Sequence, residues 1–373
     1  MRKVRAPSKK GKAYVANVLP LSERVKIIAH LVDGCSVRAT SRLTGAAKGT
    51  ILRLLCAVGL GCARLHDKLV RDVQASLIEA DELYALIGKR EKRKTANDAY
   101  EVGDAYTFVA LCVVSKLIIS HLTGKRDAEN AQDFMFDLRA RVLGRPQLST
   151  DGFSPYKFAV ALAFGPEGVD YGMVVKEYET SIERQTIAAN RYTPGRVKSV
   201  TRDVVYGSPD VEALNTSYAE RSNLTFRMSM RRFTRLTNGF SKKLYNHTMA
   251  VALHVMAYNY VRTHMTLRTT PAVAAGLATR PWSLAELVTA ALAEVENEPE
   301  PTDDSSGSDG EPEPGCVTPS WATQGSAPTA GVDLDTLDVY ETSVAANDNA
   351  TPRLTLARTM VERAAEFARP PSG

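Results

Sequence analysis

The chain has 373 residues, 44% of them hydrophobic, which suits a soluble globular protein of two or three domains. No uninterrupted apolar run reaches the ~18 residues of a bilayer span, and the basic opening M-R-K-V-R-A-P-S-K-K-G-K lacks the apolar core of a secretory signal. The net charge of +5 hides an asymmetry: residues 294–373 hold 16 Asp+Glu against 4 Arg, a balance of −12, so residues 1–293 carry +17, which points to a polyanion, chiefly nucleic acid.

In chain order, residues 1–20 read as a basic arm and residues 21–58 as three short helices. Ser22 is placed to cap the first, with Glu23 in its first turn, Val25, Ile27, Ile28 and Leu31 behind it, and Gly34 at its end. Ser36 opens the second, a turn follows at Gly45, and K-G-T-I-L-R-L-L-C-A-V forms the third. Two short helices joined by a glycine turn, the second carrying Lys48, Thr50 and Arg53, match a helix-turn-helix over residues 21–65, with those three side chains toward DNA. A plain three-helix core fits the same pattern.

Residues 74–87 alternate as a first strand, and the basic run 88–94 follows as a loop or hairpin. Y-T-F-V-A-L-C-V-V and L-I-I-S-H-L, joined by a turn at Ser115 and Lys116, read as a buried hairpin. Residues 127–143 read as an amphipathic helix opening at Asp127, R-P-Q-L-S-T-D as a strand, F-S-P-Y-K-F-A-V-A-L-A as a helix and Y-G-M-V-V-K-E-Y as another strand. Residues 179–217 are polar and read as a long connection; helices follow at 220–237 and 242–263. This succession is an α/β layer pattern spanning 74–275, with a terminal helix at 276–295. From 296 to 373 the acidic, Pro- and Ser-rich composition predicts disorder, apart from a possible short helix at 351–368. The five cysteines, at 35, 56, 62, 112 and 316, form no C-x-x-C pair and read as reduced thiols of a cytosolic protein.

Three acids stand out: Asp81 in I-E-A-D-E-L-Y, Asp151 in Q-L-S-T-D-G-F-S-P-Y and Glu220 in S-Y-A-E-R-S-N-L-T-F-R. The first two close apolar strands, and the third opens a basic helix; they lie 70 and 69 residues apart. Singly, each has a bland reading: a solvated strand end, a helix N-cap and a first-turn acid. Together they supply the oxygen donors that hard divalent cations prefer, and a pair of such ions assists phosphodiester cleavage. Period-two alternation puts Glu79 and Asp81 on one strand face and Glu82 on the other. Arg227 lies two turns beyond Glu220 on the same helical face, and Arg221, Arg231, Arg232, Lys242 and Lys243 extend a basic surface suited to phosphate contact. His247, His254 and His264 fall on or near apolar helical positions and read as structural.

The blocks D-E-L-Y, D-G-F-S-P-Y and Y-A-E-R-S-N-L-T-F-R-M-S-M-R-R-F-T-R-L-T-N-G-F-S-K resemble the catalytic blocks of insertion-sequence DDE transposases, in the ribonuclease H-like integrase superfamily. The nearest flavour is the small family whose third block reads H-x-E-R-x-N-L followed by arginines and F-S-K. The resemblance spans about residues 78–275 and departs at Tyr218, where that block often has His. It implies a ribonuclease H-like mixed sheet flanked by helices. It also implies Asp81, Asp151 and Glu220 as ligands of two Mg²⁺ ions (Mn²⁺ able to substitute), with Arg227 as their basic partner. The implied activity is DNA cutting and joining by a homo-oligomer at terminal inverted repeats and target DNA, with a cytoplasmic, nucleoid-associated location and no membrane role. A transposase-derived DNA-binding regulator without catalysis is the alternative.

Overall fold

A computed structural model describes residues 19–178, 197–234 and 237–296. The arm at 1–18, the segment 179–196 and the acidic stretch from 297 onward, with the helix expected at 351–368, lie outside the described residues.

Helix α1 (Leu21–Val32) begins after Pro20, so Ser22 sits inside its first turn rather than at its cap. Helix α2 (Val37–Thr44) starts and stops where the sequence indicates: the Ser36 hydroxyl accepts from the Ala39 N–H, and Gly45 closes it in the left-handed conformation. Helix α3 (Lys48–Leu69) runs eleven residues past Val58, the end expected from sequence. Gly59 and Gly61, inside this extension, are contact points. A β-carbon on Gly59 would collide with Met249, and one on Gly61 with the backbone of Ala291. By length and composition α3 is long and apolar enough to cross a membrane. In this fold its faces meet α7 (Leu244–Met256) and α9 (Leu284–Glu296) instead.

The six strands are β1 (Leu77–Ile87), β2 (Gly103–Cys112), β3 (Ile118–Gly124), β4 (Gln147–Asp151), β5 (Asp170–Tyr178) and β6 (Val197–Tyr206). They form one mixed sheet in the order β3-β2-β1-β4-β5-β6. The β1–β2, β2–β3 and β5–β6 pairs are antiparallel; β4 is parallel to both β1 and β5. This is a mixed α/β architecture consistent with a ribonuclease H-like fold. Strand β6 falls in what reads from sequence as a long connection, so that reading is corrected at 197–206. Helices α4 (Ala128–Arg141) and α5 (Pro155–Phe164) cover one sheet face, where Phe108, Phe134 and Tyr156 pack with ring centroids 5.5–6.4 Å apart. Helix α6 (Ser217–Ser229) packs on β1 and β2.

Helix α6 starts three residues before Glu220 and ends at Ser229, well short of residue 237. A 3-10 turn follows at Arg231–Phe233, because Phe233 is drawn into the core against Phe226 and His247, at ring distances of 6.0 and 4.9 Å. Helix α7 ends at Met256 and continues as a π-helical turn, Ala257–Val261; a short α8 (Pro271–Ala274) precedes α9. One core joins all these layers, from Ile28, Leu55 and Leu65 through Phe108 and Tyr171 to Val251 and Leu287.

Candidate active site

The parallel pairing of β1 with β4 sets the site. Ala80 lies opposite Thr150, so the next residues, Asp81 and Asp151, fall side by side. Strand β4 stops at Asp151, while β1 runs on to Ile87 with β2 on its other flank. Past Asp81 the β4 side of β1 therefore carries no paired strand until the isolated Ile87–Ser241 bridge, and a side chain from either strand face can turn into the gap. Glu82 does so. One oxygen each of Asp81, Glu82 and Asp151 lies within 4.8 Å of the others, a group that can hold a metal ion.

The surroundings of each acid differ. Asp81 accepts from the Glu82 N–H at 2.9 Å and from the Asn223 side-chain amide at 2.7 Å. Burial, then the Glu82 and Asp151 charges, push its pKa up to about 7. Glu82, with a side chain 3% exposed, is raised by burial and by Asp151, against the pull of the Tyr156 hydroxyl and of Arg126. Asp151 accepts from the Phe153 N–H at 3.0 Å. Arg126, between β3 and α4, bridges the cluster: Nε donates to Glu82 at 3.0 Å and Nη2 to Asp151 at 3.2 Å. Its guanidinium stacks 4.0 Å from the Phe153 ring centroid.

Helix α6 supplies the opposite wall. Buried Glu79 accepts from the Ala219 N–H at 2.9 Å, a cap delivered from β1 in place of a side chain at the helix's own start. Burial raises the Glu79 pKa against the pull of the Ala219 and Tyr218 N–H groups. Glu220, half-exposed, is paired with Lys176 of β5 and accepts from the Thr216 hydroxyl at 3.1 Å. It stands one helical turn before Asn223, which holds Asp81, and its charge reaches Asp81. Among the three expected acids, then, Asp81 and Asp151 meet directly, while Glu220 borders them in an ion pair. The Tyr218 ring lies under the Lys116 ammonium, 3.3 Å from its centroid.

The expected basic residues divide. Lys48 and Arg53 are exposed at the start of α3, where Arg53 donates to the Thr50 hydroxyl at 3.4 Å. Arg221, Arg231, Lys242 and Lys243 are exposed, and Arg227 is half-buried. Arg232 departs from the expectation. It turns inward and donates to Ser241 at 2.8 Å, Ser241 meets His247 Nδ1 at 2.8 Å, and burial lowers the Arg232 pKa. Cys56 meets Asn246 at 3.3 Å and Gly59 abuts Met249, so α3 and α7 run parallel. Arg53 and Lys243, each three residues before the first contact, thus stand level, and α3 begins six residues before the level of Leu244.

Glu82, Arg126, Asn223 and Lys176 were not picked out from sequence. Asn223 carried a signal, three residues beyond Glu220 and so on the same helical face. Arg126, in G-K-R-D between a strand and a helix cap, carried none.

No family model and no curated protein matches this chain. One solved structure similar to it is a Mos1 transposase paired-end complex with left transposon end, at 13% identity and a TM-score of 0.18. The likeness covers 45% of this chain and 61% of that one.

Proposed function

We propose that the chain is a DDE transposase that cuts and joins DNA strands with a divalent metal pair, Mg²⁺ or Mn²⁺. The observation that carries this reading is the meeting of Asp81 and Asp151 at the adjoining ends of parallel β1 and β4, beside a helix tied to Asp81 through Asn223. The donor set fits a hard cation: carboxylate oxygens throughout. Asp81, Asp151 and Glu220 would be the ligands, with Glu82 beside them. Bound there, the ions supply charge stabilisation to the attacking and leaving oxygens of an in-line displacement.

The chain's own residues do the rest. Asn223 orients Asp81, and Glu79 fixes the start of α6 and hence the place of Glu220. Arg221, Arg227 and Arg231 offer guanidinium groups to the phosphate backbone. Lys48, Thr50, Arg53, Lys242 and Lys243, at and before the N-terminal ends of α3 and α7, would grip duplex DNA of the terminal repeats through helix-turn-helix α2–α3. Joining two ends calls for a homo-oligomer on DNA, in a cytoplasmic, nucleoid-associated setting.

The test uses the full chain, Mg²⁺ and a plasmid carrying the coding region with its flanking DNA. Strand cleavage is expected from the wild type and none from Asp151→Ala, with DNA binding retained by both. Cleavage surviving in Asp151→Ala overturns the assignment.

A further inference from the structure

We infer that Arg126 is a resident placeholder cation, which holds the carboxylate cluster together before a metal binds and must give way when one does. This deepens the proposed reading and rests on its metal site. Among the described residues, Arg126 is the cation bonded to this cluster, and it bonds two of the three acids at once, Glu82 at 3.0 Å and Asp151 at 3.2 Å. The oxygens it binds belong to the same two carboxylates that lie within ligand distance of Asp81. A guanidinium bonded to two of three clustered carboxylates offsets part of their mutual repulsion. A guanidinium suits the task, since its planar fork can serve two carboxylates.

It also sits where it can leave. Arg126 lies at the link between β3 and α4, its side chain is about one-third exposed, and its guanidinium lies 4.0 Å from the centroid of the half-buried Phe153 ring. A doubly charged ion between Asp81 and Asp151 competes for the lone pairs that Arg126 occupies and repels its charge. Released from the carboxylates, the same partly exposed guanidinium is free to bond a DNA phosphate. Arg126 is thus a positioning residue that exchanges carboxylate for phosphate.

Two roles predict opposite results. A supporting partner that merely orients metal ligands typically costs about 10–100-fold in metal affinity when removed. A placeholder blocks the metal, so its removal should tighten binding, by about ten-fold or more given coupling between groups in contact. Mn²⁺ affinity is measured calorimetrically on the full-length wild type, Arg126→Gln and Arg126→Lys, without DNA. Tighter binding by Arg126→Gln, with Arg126→Lys nearer the wild type, supports the inference; equal or weaker binding by Arg126→Gln overturns it while leaving the metal site standing. Absence of Mn²⁺ binding by all three overturns the metal site and the inference with it. Should Arg126→Gln fail to fold, the wild type alone decides. Mg²⁺ should shift the Arg126 Nε–H resonance as the guanidinium leaves Glu82, and an unmoved resonance at saturating Mg²⁺ overturns the exchange.

Discussion

Replacing Asp81 by Asn should change the stability of the metal-free protein by an amount that depends on pH. The Asp81 carboxyl has a pKa of about 7 against an ordinary 3.8, because it is buried beside Glu82 and Asp151. A raised acid pKa means that the unfolded chain ionises first. The cost of folding with this charge is therefore absent below about pH 4, grows as pH rises, and is complete above pH 7. At 1.36 kcal/mol per unit the full cost is roughly 4 kcal/mol at pH 8, against roughly 1.5 kcal/mol at pH 5. Asn carries no charge, so it escapes this cost. It disturbs the bonds to the Glu82 N–H and the Asn223 amide, but that penalty does not change with pH. The stability of Asp81→Asn relative to wild type should thus rise by roughly 3 kcal/mol between pH 5 and pH 8. Urea denaturation with a chelator present measures it at each pH. Parallel curves for the two proteins would show that Asp81 is not buried among like charges, and would remove the basis for a metal cluster there. Mn²⁺ added at pH 8 should stabilise the wild type more than Asp81→Asn.

Three further outcomes follow from the site and its supports. Glu79→Ala should lower stability by about 1–3 kcal/mol in urea melts, since it strips a buried partner from the first N–H groups of α6; a neutral effect would show the cap to be incidental. Asn223→Ala should keep the fold, by circular dichroism, yet weaken Mn²⁺ binding about ten-fold or more, because Asp81 loses the amide that orients it. Arg53→Ala should weaken duplex binding by about 1–3 kcal/mol if the side chain reads a base, and less if it meets phosphate. Fluorescence anisotropy across a salt series separates the two, and an unchanged affinity argues against a DNA-facing α3.

Local signals were legible where a single residue type does the work. The Ser36 cap, the Gly45 turn, the Asp127 cap and the strand ending at Asp151 each follow from the chemistry of a few neighbours. What escaped depends on distant partners. Strand β6 is largely exposed on both faces, so it lacks the alternation that marks a half-buried strand, and only its pairing with β5 defines it. Helix α6 ends early because Phe233 is needed in the core, not because of a breaker. Glu82 follows its strand face by alternation, yet it joins Asp81 because β4 stops and leaves a gap that no reading of β1 by itself reveals.

Helix α3 belongs to two neighbourhoods at once. Its first turns carry Lys48 and Arg53, and its later turns are wedged by Gly59 and Gly61 against α7 and α9. A rod of 22 residues is about 33 Å long, close to ten base pairs of duplex. With no linker between its first turns and the body, α3 would act as a gauge if Lys48 and Arg53 grip duplex DNA as proposed. The number of base pairs from a recognised sequence to the severed bond would be set by the protein, and so would the rotational phase of the duplex as it meets the carboxylates.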